Sequence, residues 1–290
     1  MEEMPQICLG TNLHSVNLEH LKTKFKEAIH LGYHHIDSAE AYGNMSIMPE
    51  VIQYGIEIYG REKFWVTWKY NNINETTIRD NIDRLDCDYF DLVLLHFPNS
   101  IKSNKANMDV LIKLKKEGLI KNIGVSNYEN PADLIELNEY LETKGCCIYA
   151  NQIQARPIDS GANVIKGRPN SEYNILLNVC RDHNIRLMLF SPYSALRNRM
   201  LNNNINSEDA EIIDEILNNP DFGKKVISYY TREYLVGTGN VLINGVSNGA
   251  SCMQNYNTIQ SILNGTSTNQ NKINNANIFK KITKLKLSKM

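Results

Sequence analysis

The sequence predicts a single closed (β/α)8 barrel, and three observations predict it. Eight short apolar runs are spread along the chain: Ile7–Gly10, His34–Asp37, Phe64–Lys69, Tyr89–His96, Ile120–Val125, Ile148–Gln152, Ile185–Ser191 and Asn240–Ile243. Each is rich in β-branched or aromatic residues and flanked by turn formers, as parallel strands buried on both faces are. The segments between them carry helical periodicity, and strands alternating with helices over this length favour the barrel. No G-x-G-x-x-G run follows the first strand, which argues against an open doubly wound sheet.

The intervening elements have their own reasons. Leu18, Leu21, Phe25, Ala28 and Ile29 recur at helical spacing, while Glu19, Lys22, Lys24 and Lys26 face elsewhere. Asn130-Pro131 places a capping residue before a proline at the first helical position, opening a helix through Asn138. Lys115, Lys116 and then Gly118 close another helix with the expected charge and terminator. Asn202-Asn203-Asn204 begins a polar insertion after the seventh strand, before a helical stretch at Glu208–Leu217. Beyond Leu263 the composition turns to Asn, Thr, Ser and Gln and then to the basic stretch Phe279–Lys289. The domain expectation is therefore a barrel over 1–263 and an Asn/Lys-rich tail over 264–290, its end one last amphipathic turn.

Composition narrows the partners. Of 290 residues, 31 are Lys or Arg and 32 are Asp or Glu, so no general polyanion-binding surface is expected and nucleic acid is not a partner. Mean hydropathy is −0.38 and no apolar run is long enough to span a membrane. The opening MEEMPQICLG lacks a basic segment followed by an apolar core, so a cytoplasmic location is expected. Cys8, Cys87, Cys146, Cys147, Cys180 and Cys252 have no metal-clip or redox-motif spacing and are expected to be small buried hydrophobes, with no metal site.

In a (β/α)8 barrel the working groups sit at the C-terminal ends of the strands. Those ends carry Asp37-Ser38-Ala39-Glu40-Ala41-Tyr42-Gly43-Asn44, Trp68-Lys69, Leu95-His96-Phe97-Pro98, Ser126-Asn127, Asn151-Gln152 and Ser191-Pro192. Singly, each has an ordinary explanation as a cap, a packed ring or a surface charge. Together they make a proton donor. An ammonium such as Lys69 beside the Tyr42 phenol is expected to lower its pKa, a buried Asp37 to hold that lysine, and His96 to donate a hydrogen bond to a carbonyl oxygen.

These residues resemble the aldo-keto reductase family, from about residue 5 to residue 257 and in the family's motif order. HIDSAEAYGN is similar to the segment carrying the family's catalytic Asp and Tyr (Asp37 and Tyr42), VTWKY to its lysine strand (Lys69) and LVLLHFP to its histidine strand (His96). IGVSNY resembles the cofactor-amide motif, implying that Ser126 and Asn127 grip the nicotinamide carboxamide together with Gln152 of NQIQ. LFSPYS resembles the segment whose aromatic residue, here Phe190, stacks on the nicotinamide, with Ser191 near the pyrophosphate. CLGTN resembles the strand that brings Gly10 and Thr11 beside the cofactor, with Asp37 also in reach. The resemblance implies an NADPH-dependent reductase of aldehydes or ketones, free of metal and flavin, with a small-molecule carbonyl substrate.

The chain departs from the family pattern at the adenosine end. The usual lysine and arginine for the 2′-phosphate are replaced by Gly245 and Ser251, while Ser247 and Asn248 offer polar contacts and Gln254 and Asn255 stand at the adenine contacts. Without those charges NADH becomes an acceptable cofactor as well, and discrimination between the two is expected to be weak. Asn12 and Met45 stand where the family often has Trp and Glu, and the tail replaces its long substrate loop, which implies a more open and polar pocket. The alternative reading is a cofactor-binding regulatory or interaction subunit with little activity, which the altered phosphate grip and the tail favour. A protein partner for the tail has no further support in the sequence, and a sugar-phosphate isomerase or aldolase lacks an identified phosphate loop.

Overall fold

Every one of the eight apolar runs becomes a strand in the computed structural model, which describes residues 3–12, 17–155, 170–192, 222–245 and 249–266. The strands are β1 (Ile7–Gly10), β2 (His35–Ala39), β3 (Trp65–Tyr70), β4 (Phe90–Leu95), β5 (Ile120–Ser126), β6 (Ala150–Gln154), β7 (Arg186–Phe190) and β8 (Val241–Gly245). All pair in parallel with their sequence neighbours, and β8 pairs back on β1 from Ile7↔Leu242 to Gly10↔Gly245, which closes the ring and leaves no open edge.

Around it lie α1 (Leu18–His30), α2 (Met48–Tyr59), α3 (Glu75–Leu85), α4 (Ile101–Lys116), α5 (Pro131–Glu142), α6 (Asn170–Asp182), α7 (Phe222–Tyr230) and α8 (Gly249–Leu263). Asn17, Asn74, Ser100 and Asn130 each accept a backbone N–H of the first turn of α1, α3, α4 and α5. The expected terminator after α4 is present, with Gly118 at φ +82°, a conformation that a side chain would strain.

Several boundaries differ from the sequence reading. β2, β3, β5, β6 and β8 each run one or two residues further toward their C-terminal ends than the apolar runs do. The reason is register: Ala39 pairs with Lys69, Ser126 with Gln152 and Gly10 with Gly245, so polar and small residues at the top of the barrel are held by the ladder although they add nothing to the apolar run. β2, β3, β6 and β8 also start later than expected, at His35, Trp65, Ala150 and Val241, and β4 and β7 are trimmed at both ends. Helix α5 continues past Asn138 to Glu142 because Leu141 extends its buried stripe of Leu134 and Leu137. The insertion from Asn202, the stretch Glu208–Leu217 and nearly all of the tail lie outside the described residues.

Alternation along the strands divides the core in two. Met4, Cys8, Trp65, Leu92, Leu94, Ala150, Met188, Val241 and Ile243 fill the barrel. Ile36, Val66, Trp68, Val93 and Leu242 face outward and meet helix residues such as Phe25, Ile29 and Val51. His35 and Trp65 both meet Thr67, on the inward parity of β2 and β3. That parity sends Asp37 and Lys69 inward, at the opposite end.

The N-terminal end is closed by a self-contained cluster. The Arg61 guanidinium donates to the carbonyls of Phe64, Cys87 and Tyr89 and, at 3.0 Å, to the Asp91 carboxylate, which also accepts the Val66 N–H at 2.8 Å. Burial pushes the Asp91 carboxyl up to about 6 in spite of the opposing pull of Arg61. Nearby, Tyr149 stacks on Trp65 and lies under the Arg186 guanidinium. Burial also holds His35 neutral, with its pKa near 3, between the Pro5 carbonyl and the Thr67 hydroxyl.

Cys8, Cys87, Cys180 and Cys252 are buried as expected. Cys147 is exposed and Cys146 half-buried, because both lie on the loop after α5. No cluster of metal-ligating side chains occurs among the described residues, and none of their helices is long and apolar enough to cross a membrane.

Candidate active site

Strand parity delivers two opposite charges to the top of the barrel, where each needs the other. The Lys69 side chain is fully buried and its ammonium donates to Asp37 Oδ2 at 2.5 Å. The second carboxylate oxygen, Oδ1, accepts the side-chain amide of Gln152 at 2.7 Å, so β2, β3 and β6 meet at one carboxylate. Asp37 lies within β2, not after it, and its position is braced from β1: Thr11 donates N–H and hydroxyl to the Asp37 carbonyl.

Tyr42 sits on a short 3-10 turn, Glu40–Tyr42, that follows β2 and ends at Gly43 with φ +66°. That turn swings the half-buried phenol back over the barrel mouth. The Lys69 ammonium lies 5.0 Å from the ring centroid, and the His96 ring meets the Tyr42 ring edge-on at 5.9 Å. Asp37, Tyr42, Lys69 and His96 are therefore brought together from β2, β3, the turn after β2 and the residue that follows β4.

Electrostatics corrects one expectation. Burial raises the Tyr42 pKa above its ordinary value; Lys69 pulls it down, but desolvation outweighs that pull and Asp37 adds to the rise. The phenol is thus a neutral donor at neutral pH, with Lys69 ready to stabilise the charge left when the proton departs. Lys69 itself is raised: desolvation disfavours its charge, and Asp37 and Tyr42 together more than compensate. The His96 pKa is lowered to about 4 by burial first and the Lys69 charge second, so its imidazole is neutral at neutral pH. Its Nδ1 is buried with no hydrogen-bond partner.

The expected amide-binding residues join the same network. Asn127, at φ +61°, donates its side-chain amide to the His96 carbonyl at 2.9 Å and its N–H to the Gln152 carbonyl at 2.8 Å. Ser126 donates its hydroxyl to the Gln152 carbonyl at 3.0 Å. Gly10 ends β1 against β8, where a Cβ would come within 2.7 Å of the Ile243 side chain. Phe190 closes β7 and packs against the barrel interior, with Ser191 following at φ +55°. Gln254 and Asn255 lie along α8, the first exposed and the second buried. Ser247 and Asn248 lie outside the described residues.

Sequence reasoning missed three neighbours of this site. Asn44, buried, donates to the Thr11 carbonyl at 3.1 Å and ties the Tyr42 turn to the end of β1; it stands in the same motif as Tyr42. Phe97 stacks on His96 at 4.5 Å and remains 49% exposed, an apolar face at the mouth announced by its place next to the histidine. Cys8 lies buried within electrostatic reach of Asp37 and Lys69, and burial holds its thiol protonated; no sequence signal separates it from the other cysteines.

Known proteins resemble this chain in sequence and in fold. The aldo/keto reductase family model matches residues 6–276. Methylglyoxal reductase DkgA of Escherichia coli is 31% identical over 160 residues, covering 53% of this chain and 55% of that protein. Rhazimal reductase 2 of Alstonia scholaris is 27% identical over 217 residues, covering 66% and 62%. The chain thus spans little more than half the length of the curated relatives it matches. Among solved structures, an aldose reductase from Giardia lamblia superposes with a TM-score of 0.67 at 20% identity over 96% of this chain and 93% of that one. A Bombyx mori aldo-keto reductase in complex with NADP gives 0.64 at 21% over 90% and 88%. With the family model matching most of its length, the chain belongs to the aldo/keto reductase family.

Proposed function

We propose that this chain is an NAD(P)H-dependent reductase of aldehydes or ketones in which Tyr42 is the general acid. The observation that carries the proposal is the fully buried Lys69 ammonium set between the Asp37 carboxylate and the Tyr42 ring, with a neutral His96 alongside. The polar set at the ends of β5 and β6 suits the cofactor: Ser126, Asn127 and Gln152 supply both donors and acceptors, which is what a carboxamide needs.

A nicotinamide held by Ser126, Asn127 and Gln152 would supply the hydride for the carbonyl carbon. Tyr42 gives its hydroxyl proton to the carbonyl oxygen, and Lys69 stabilises the phenolate that is left. His96, neutral, donates from Nε2 to the same oxygen and orients it, since its Nδ1 faces inward without an acceptor. The expected result of Tyr42→Phe is a fall in turnover of about 10²–10⁴-fold with cofactor affinity nearly unchanged. Methylglyoxal, the substrate named for the Escherichia coli relative, is the first carbonyl to assay. Retained turnover would show that another group is the acid.

Cofactor discrimination is proposed to be weak. Gly245 is the last residue of β8, paired with Gly10, and brings no charge to the place where the family has its lysine. Each missing charge-assisted contact is worth about 1.5–3 kcal/mol, or roughly tenfold or more in affinity. The Gly245→Lys/Ser251→Arg double variant is expected to bind NADPH more tightly with little change for NADH. A hundredfold NADPH preference in the wild type, with no gain in the variant, would refute this.

The barrel is proposed to be complete at residue 263, where α8 ends. A chain cut after Leu263 is expected to unfold cooperatively and to bind cofactor, as a thermal melt and a fluorescence titration will show.

A further inference from the structure

Gln152 occupies a position that a cofactor contact alone does not require. Gln152 donates its side-chain amide N–H to Asp37 Oδ1 at 2.7 Å, while the other carboxylate oxygen takes the Lys69 ammonium at 2.5 Å, so both oxygens act as acceptors and the amide nitrogen is the Gln152 atom turned to Asp37. The side-chain oxygen Oε1 is then turned away from the carboxylate, and no described residue donates to it. The Gln152 backbone carbonyl is held by Asn127 and Ser126, and Asn127 also holds the His96 carbonyl. Gln152 is only 3% exposed, so little of it is open to bulk solvent.

We propose that Gln152 is a positioning residue that couples occupancy of the carboxamide subsite to the Asp37–Lys69 pair, and through it to the acidity of Tyr42. The inference rests on the function proposed above. A ligand amide N–H received by Oε1 polarises the Gln152 amide, so its N–H donates more strongly to Asp37. The better that carboxylate is satisfied by Gln152, the less of its charge is set against Lys69, and the more of the ammonium's field reaches the phenol. Binding at one edge of the site thereby readies the proton donor at the other. No proton moves in this step; only the balance of hydrogen bonds changes.

The test uses Gln152→Leu, Gln152→Glu, Lys69→Met and the Gln152→Leu/Lys69→Met double variant of the full chain. NADPH binding is read by fluorescence, and kcat against pH at saturating NADPH with methylglyoxal. In Gln152→Leu the pKa governing kcat is expected to rise by about half a pH unit or more, because Asp37 leans wholly on Lys69. Gln152→Glu, nearly the same shape, restores the donor only while its own carboxyl is protonated. Its turnover relative to wild type is expected to be highest at low pH and to fall steeply as that carboxyl ionises against Asp37.

The losses of NADPH affinity in the two single variants are expected to be non-additive by about threefold or more in the double. Additive affinities, or a kcat profile that stays in place while only affinity weakens, would overturn the coupling and leave Gln152 a simple cofactor contact. Thermal melts of each variant separate loss of fold from loss of coupling. Tyr42→Phe run alongside separates the two proposals: if it stays active the general-acid assignment fails, and if it is inactive while Gln152→Leu leaves the profile in place only the coupling fails.

Discussion

Two buried ion pairs stand at opposite ends of this barrel, and they differ in what is left over. At the N-terminal end, Arg61 spends its donors on Asp91 and on three backbone carbonyls, and Asp91 takes a backbone N–H besides. At the C-terminal end, Lys69 is pinned by Asp37 on one side, and its ammonium also faces the Tyr42 ring. The first pair is closed upon itself and holds strands and loops in place. The second also faces a third group, Tyr42, and under the proposed function that incompleteness suits it to proton transfer.

Substitutions that cross between the two ends break or sharpen this contrast. The largest effect is expected from Lys69→Met, which removes the charge proposed to stabilise the Tyr42 phenolate: turnover should fall about 10²–10⁴-fold. A variant with the wild-type rate and pH profile would mean that the upper pair is a staple as well. Arg61→Leu should do the reverse. Leaving Asp91 buried without its partner costs about 3–5 kcal/mol of stability, read by denaturant unfolding, while the folded fraction keeps its turnover. A fall in kcat at full folding would show that the lower cluster reaches the site.

The smallest effect lies in the pH dependence of stability. The pKa values of His35 and His96 are lowered from 6.5 to about 3 and about 4, so below pH 6.5 the unfolded chain binds protons that the folded one refuses. Their contribution to stability is therefore lost as pH falls from 6.5 toward 4. Asp91 works the other way. Its carboxyl, raised from 3.8 to about 6, takes up a proton in the folded state first, which favours the fold as pH drops through that window. Asp91→Asn removes this offset, and the decline of the melting temperature from pH 6.5 to pH 4 should steepen. An unchanged slope would show that Asp91 is already ionised there.

The two ends were not equally legible in the sequence. The upper one was, because polar side chains at the end of an apolar strand interrupt a pattern: Asp37, Lys69 and His96 each stand where an apolar run stops. The Asp37–Lys69 partnership, expected from charge, is the contact the structure contains. The lower staple gave no such signal, since Arg61 and Asp91 lie 30 positions apart in the chain and meet only in the fold.

Periodicity and turn chemistry by themselves determined the number of strands, their alternation with helices and the barrel class, because burial on both faces leaves its mark in every strand locally. Local sequence also determined which residues cap the helices, as at Asn130-Pro131 and Gly118. Tertiary structure alone decided the register at the strand tops, where Ala39, Ser126 and Gly245 are held by neighbours and not by their own hydrophobicity. It alone decided the direction of the Tyr42 pKa, since desolvation competes with the Lys69 charge and only the packed site says which is larger. And it alone brought Gln152 to Asp37 across 115 positions of chain, a contact that depends on barrel closure and inward parity and so leaves no trace in either segment.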